Sequence, residues 1–140
     1  MATILNPYIS FKDNAREALT FYQSVLGGEL TTSTFGEYGD PTAPNADGIM
    51  HGQLKSEAGL TLMAADTPPG MSWNPGDNIS ISLSGDDSAQ LKGYWDGLGE
   101  GGKITVPLEK QMWGDEFGML VDKFGIIWLV NIAGEQSAQA

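Results

Sequence analysis

The chain has no cysteine. That excludes disulfides, thiolate metal sites and cysteine nucleophiles, and it fits a reducing cytoplasm. Histidine is almost absent too: His51 is the only one, and a lone histidine cannot build a histidine-rich metal cluster. Positive charge is scarce, with seven basic residues against 18 acidic ones and a net charge of −11. Such a surface repels phosphate backbones, so nucleic acid is not an expected partner. No apolar run approaches the roughly 18–20 residues that a membrane helix needs, so no membrane partner is expected either. The first residues lack a basic segment followed by an apolar one, so no secretory leader is expected. What remains is an ordinary globular composition: 140 residues, 41% of them hydrophobic, enough for one domain with a real core.

Within that composition the chain says nearly the same thing twice. Leu19, Tyr22, Leu26 and Gly27 form L-x-x-Y-x-x-x-L-G, and Leu91, Tyr94, Leu98 and Gly99 repeat it 72 residues later (91−19). Asn6 to Phe11 aligns with Asn78 to Leu83 at the same offset. His51-Gly52-Gln53-Leu54 aligns with Phe117-Gly118-Met119-Leu120, and Gly59 with Gly125, at an offset of 66 (118−52). A repeat this long marks a duplicated half-domain, because solenoid units are shorter and need at least three copies.

Each half reads β-α-β-β-β. Residues 4–11 alternate as a strand. Asp13 or Asn14 caps a helix whose apolar face is Ala15, Ala18, Leu19, Tyr22, Val25 and Leu26, and Gly27-Gly28 ends it. Leu30 to Phe35 reads as a strand, Gly36 to Gly48 as a long loop, and Ile49 to Lys55 with Leu60 to Ala65 as a hairpin around Gly59. Thr67 to Gly76 holds three of the seven prolines and reads as a linker. The order then restarts: strand Asn78 to Ser84, helix capped by Asp86-Asp87, strand Lys103 to Leu108, and a hairpin of Gly118–Val121 with Ile126–Ile132. The tail from Ala133 to Ala140 reads as frayed. Module one then covers about residues 1–68 and module two about 76–134, within one domain of residues 1–140.

Strand parity adds a functional hint. Ile79, Ile81 and Leu83 alternate with Asn78, Ser80 and Ser82, and Asn6, Tyr8 and Ser10 alternate with apolar neighbours in the first half. The apolar faces should pack on the helices. The polar faces then either line a shared cup or simply meet solvent, which antiparallel sheets allow.

A duplicated β-α-β-β-β half of this kind resembles the vicinal oxygen chelate (VOC) superfamily of glyoxalases, extradiol dioxygenases and fosfomycin and bleomycin resistance proteins, in particular its PhnB-like branch. The residues carrying the likeness are Leu5-Asn6-Pro7-Tyr8-Ile9-Ser10-Phe11, the helix Ala15-Arg16-Glu17-Ala18-Leu19 with Phe21-Tyr22, Val25-Leu26-Gly27-Gly28-Glu29-Leu30, and Met50-His51-Gly52-Gln53-Leu54. Trp113-Gly114-Asp115, Phe117-Gly118, Asp122, Phe124-Gly125 and Trp128 complete it, over residues 4–132. The resemblance implies an α+β fold: two tandem βαβββ modules related by a pseudo-twofold, forming an incomplete, curved β-barrel. It also implies a homodimer and, in the superfamily's enzymes, a divalent metal held from four strands as a Lewis acid. Placed on this sequence, those four positions fall at Asn6, near Leu62, at Asn78 and at Leu129. Carboxamides are poor ligands for zinc and leucine is none, so no metal or other cofactor is expected.

His51 has two readings: a general base, since its reference pKa lies near neutrality, or an ordinary strand histidine. Gly97-Leu98-Gly99-Glu100-Gly101-Gly102 follows a helix rather than preceding one, so it is a helix end and not a phosphate loop. Tyr8, Phe35, Met71, Trp73 and Trp113 suit a small apolar or aromatic ligand around the cup, or ordinary packing. Trp95 and Trp128 read as core, and Asp122 as a turn former. The expected ligand-binding set is Asn6, Tyr8, His51, Asn78 and Trp113, with His51 as the catalytic candidate. Two function classes stay open. One is a protein that binds a small organic ligand in the groove between modules. The other is a lyase or dioxygenase with a non-standard metal site. A methyltransferase of this branch is a further alternative, without a nucleotide-binding glycine turn to support it.

Overall fold

In a computed structural model, residues 3–134 are described; residues 135–140, most of the tail read as frayed, lie outside them. The chain divides between Pro75 and Gly76 into two compact units. The first unit contains β1 (Tyr8–Phe11), α1 (Ala15–Leu26), β2 (Glu29–Thr34), α2 (Phe35–Tyr38), β3 (Ile49–Lys55) and β4 (Thr61–Asp66). The second contains β5 (Ile81–Gly85), α3 (Ser88–Gly99), β6 (Lys103–Lys110), β7 (Glu116–Val121) and β8 (Ile127–Ile132). The two sheets have the same topology, β1-β4-β3-β2 and β5-β8-β7-β6. In each, the first and last strands pair in parallel and the rest pair antiparallel.

The repeated helix motif has a common physical cause. Leu19, Tyr22 and Leu26 are buried on α1, and Leu91, Tyr94 and Leu98 on α3. Each such burial is worth about 1.5–3 kcal/mol. Both helices lie on their sheets over a glycine. A Cβ on Gly52 would run into the Leu19 side chain. A Cβ on Gly118 would come within 2.6 Å of the Trp95 ring and 2.9 Å of the Leu108 backbone. The His51–Leu54 and Phe117–Leu120 motifs therefore repeat because both sheets need an empty position under the helix. Because backbone stands beside Gly118, its clash cannot be relieved by a rotamer change. Gly118→Ala is expected to cost about 1–3 kcal/mol as an overpacking substitution, read by urea denaturation; unchanged stability would show that the Leu108 backbone of β6 and the Trp95 ring of α3 do not lie this close.

The helices begin differently. In the second unit Asp87 caps α3, its carboxylate accepting from Gln90 N at 3.0 Å, as its sequence suggests. In the first unit Asn14 stands at the N-cap position, as one of the two expected residues, but its side chain makes no cap bond. Asp66, at the end of β4, accepts from Ala15 N at 2.9 Å and from Ile49 N at 2.8 Å. One buried carboxylate thus ties β4 to the start of α1 and the start of β3.

Three boundaries also shift. The first strand starts at Tyr8 instead of residue 4, because Pro7 has no amide proton and Ile4 and Leu5 are exposed. The strand in the second half starts at Ile81 instead of Asn78. The long loop contains a short helix, α2, whose start is capped by the Thr34 hydroxyl accepting from Glu37 N at 3.2 Å.

Candidate functional site

Strand register decides which side chains share a face. Across the first sheet, Tyr8 stands beside Met63, Met63 beside Gln53, and Gln53 beside Thr31. Ser10 stands beside Ala65, and His51 beside Ser33, on that same side. The intervening residues Leu54, Leu62 and Ala64 are buried on the α1 side, where Gly52 meets Leu19. The helix-free face therefore presents a phenol, a thioether, an amide, an imidazole and hydroxyls. At its centre the Tyr8 hydroxyl lies 3.4 Å from His51 Nδ1, and the two ring centroids are 5.8 Å apart at 36°. Asn6, just before β1, donates from Nδ2 to Met63 Sδ at 3.3 Å. The structure thus brings Asn6, Tyr8 and His51 together around Met63. Trp73, in the linker, donates its indole N–H to the Ser10 carbonyl at 3.0 Å and so packs on the same strand.

The other two expected ligand residues lie in the second unit, and not with each other. Asn78 is exposed, three residues before the edge strand β5. Trp113 is exposed in the turn between β6 and β7, with its ring centroid 6.5 Å from that of Phe117. The strand order and register put them at opposite edges and opposite ends of the second sheet.

The register also corrects two of the four superfamily positions. The first- and fourth-strand alignment between halves is set by Tyr8 opposite Met63 and Ser82 opposite Leu129. Tyr8 therefore corresponds to Ser82, an offset of 74 (82−8), and Asn6 corresponds to Ser80 rather than Asn78. Leu62 belongs to the buried α1 side; the residue beside Asn6 on the open face is Met63. The corrected set is Asn6, Met63, Ser80 and Leu129: an amide, a thioether, a hydroxyl and an alkyl group. That donor set does not fit zinc, manganese or iron, which take imidazole, carboxylate or thiolate. Among the described residues no group of three His, Cys, Asp or Glu side chains is placed to hold a metal ion.

A cleft of about 700 Å³ lies elsewhere, between the first turns of α1 and the loop before β3. Asp13, Arg16, Glu17, Phe35, Asp47 and Asp66 are among its lining residues, and none of the five expected ligand residues is. In the same loop, hydrogen bonds from the Thr42 hydroxyl and amide hold the exposed Asp40 carboxyl below the ordinary carboxylate range.

Residues 3–131 match the family described as 3-demethylubiquinone-9 3-methyltransferase. The chain belongs to this PhnB-like family. Protein PA1353 from Pseudomonas aeruginosa is 36% identical, with 94% of this chain and 98% of that one covered and a TM-score of 0.82. A PhnB protein from Bacillus cereus, described as a putative 3-demethylubiquinone-9 3-methyltransferase, is 21% identical over 94% and 100% of the two chains, with a TM-score of 0.75. The fosfomycin resistance protein FosX from Listeria monocytogenes, solved with Mn(II) and sulfate, is 13% identical with full coverage of both chains and a TM-score of 0.62. The PhnB-like chain accordingly has the α+β fold of the glyoxalase/bleomycin resistance/VOC superfamily. Among its described residues, no helix is long and apolar enough to cross a membrane.

Sequence reasoning missed Met63 and Gln53 as members of the face. The signal was available in part: Met63 follows a leucine that the apolar pattern equally allows on either side.

Proposed function

We propose that this PhnB-like chain binds a small organic ligand on the helix-free face of its first unit and works there without a divalent metal. The observation that carries the reading is the cluster of Tyr8, His51, Asn6 and Met63 on one open face. An aromatic ring and a thioether give apolar contact, while an imidazole and an amide give orientation, the mixture that small-molecule sites use. The metal-free half rests on the chemistry of the corrected donor set. FosX is solved with Mn(II), but this chain has Asn6 and Met63 on its first-unit positions. The family's methyltransferase description receives no support from a nucleotide-binding glycine turn, and methyl transfer is not part of this reading. His51 is the residue of the face best suited to hydrogen-bond a ligand or move a proton.

The test uses acetophenone as a probe, a small aromatic compound with one oxygen acceptor. His51→Ala is expected to weaken its binding about 5- to 150-fold, as for loss of one hydrogen-bonding group worth roughly 1–3 kcal/mol, with unfolding unchanged. Equal affinity in the variant, or no binding to the parent, contradicts the reading.

We also propose a homodimer. Strands β2 and β6 pair on one side only within their sheets, and unpaired edges invite pairing. Sedimentation equilibrium is expected to give a mass near twice 14.9 kDa; a single-chain mass across micromolar concentrations argues against it.

A further inference from the structure

We propose that Tyr8 is a positioning residue that fixes the tautomer of His51, so that the face offers its ligand an imidazole N–H and selects compounds bearing an oxygen or nitrogen acceptor. This rests on the reading of the helix-free face as a ligand site, and it names the ligand class that site takes. The Tyr8 hydroxyl is the hydrogen-bond partner of His51 among the described residues, at 3.4 Å from Nδ1. Among the described residues no carboxylate bonds the ring. That matters because a carboxylate would demand a proton on Nδ1 and leave Nε2 bare, as a base. A phenol does the reverse. Its O–H is a good donor and its oxygen a weak acceptor, whereas a bare imidazole nitrogen is a strong acceptor. The favoured arrangement is therefore Tyr8 O–H donating to Nδ1, with the proton of the neutral ring on Nε2.

The rest of the face agrees with that polarity. Asn6 Nδ2 is turned to Met63 Sδ, a weak acceptor, and so adds a second N–H to the same neighbourhood. Ser33, beside His51, carries a hydroxyl able to adjust to either role. The apolar surface comes from the Tyr8 ring and Met63. A ligand complementary to these groups has an apolar or aromatic body and a carbonyl-like acceptor directed at His51 Nε2–H. An ammonium group in that place would meet a donor.

Because His51 is the sole histidine, nitrogen NMR of the labelled protein reads the ring without assignment ambiguity. At a pH where the imidazole is neutral, Nδ1 is expected to show the shift of a bare nitrogen and Nε2 that of an N–H. In Tyr8→Phe, which keeps the ring and loses the donor, the Nδ1–H tautomer is expected to grow. A protonated Nδ1 in the parent, or an unchanged tautomer ratio in Tyr8→Phe, overturns the proposal. Acetophenone added to the parent is expected to shift Nε2–H, and benzyltrimethylammonium, a cation with no acceptor at any pH, to leave it unmoved. If acetophenone moves the Met63 methyl but not Nε2–H, the acceptor preference is wrong while the face still binds. If acetophenone moves neither, the face is not a site for this class, and the ligand-class half of the inference falls with it.

Discussion

Replacing Asp122 by Ala is expected to destabilise the protein by at least about 3 kcal/mol, since three donors lose this acceptor at roughly 1–3 kcal/mol each. Asp122 is buried at the β7–β8 turn. Its Oδ1 accepts from Phe124 N at 2.8 Å and Ile126 N at 3.1 Å, and its Oδ2 accepts from the Trp128 indole at 2.8 Å. Trp128 is among the largest fully buried side chains, so water cannot replace the lost acceptor. Asp122→Asn keeps an oxygen for the two amides but turns an NH2 toward the indole N–H, and should fall between the parent and Asp122→Ala. Urea denaturation reads all three. An Asp122→Ala variant within 1 kcal/mol of the parent, against about 1–3 kcal/mol for even one unpaired donor, would show that the turn does not depend on this carboxylate.

Asp66→Ala is expected to cost about 2–4 kcal/mol, since two buried backbone amides, Ala15 N and Ile49 N, lose their acceptor. It also removes a negative charge from the N-terminus of α1, where such a charge is favourable. The damage should appear in hydrogen exchange as faster opening of the first turn of α1 and the first residues of β3. Retained protection at Ala15 and Ile49 would contradict the tie. A further distinction is chemical. Asp66→Asn can still accept from one amide through its oxygen, so it should protect either Ala15 or Ile49 but not both.

Much of this fold was legible in the sequence because its two periodicities are strong. The helix motif around Leu19 and Leu91 is buried in both copies, and the glycine of each β3- or β7-type motif lies under a helix. What could not be read were two slips of different size. The first-strand offset is 74, not 72, and a shift of two residues keeps every side chain on its original face, so parity cannot reveal it. It carried Asn78 into a position that Ser80 occupies. The other slip was a single residue, from Met63 to Leu62, which does change faces. Here the sequence Leu60-Thr61-Leu62-Met63-Ala64-Ala65 is apolar at nearly every place, so no alternation marks the side that packs on α1. The Asp66 bonds to Ala15 and Ile49 were invisible for another reason: a cap supplied from 51 residues away leaves no local pattern. The Tyr8–His51 contact, 43 residues apart, is of the same kind. Each residue could be chosen from the sequence, but their meeting needed the β1–β4–β3 order.

The central claim is that the open face of the first unit binds an acceptor-bearing organic molecule without a metal. Its most direct test is the imidazole spectrum of His51 during an acetophenone titration, run once with EDTA and once with added Mn(II). The account predicts a saturable shift of Nε2–H that is the same in both. No shift in either, or a shift that appears only with Mn(II), would contradict it.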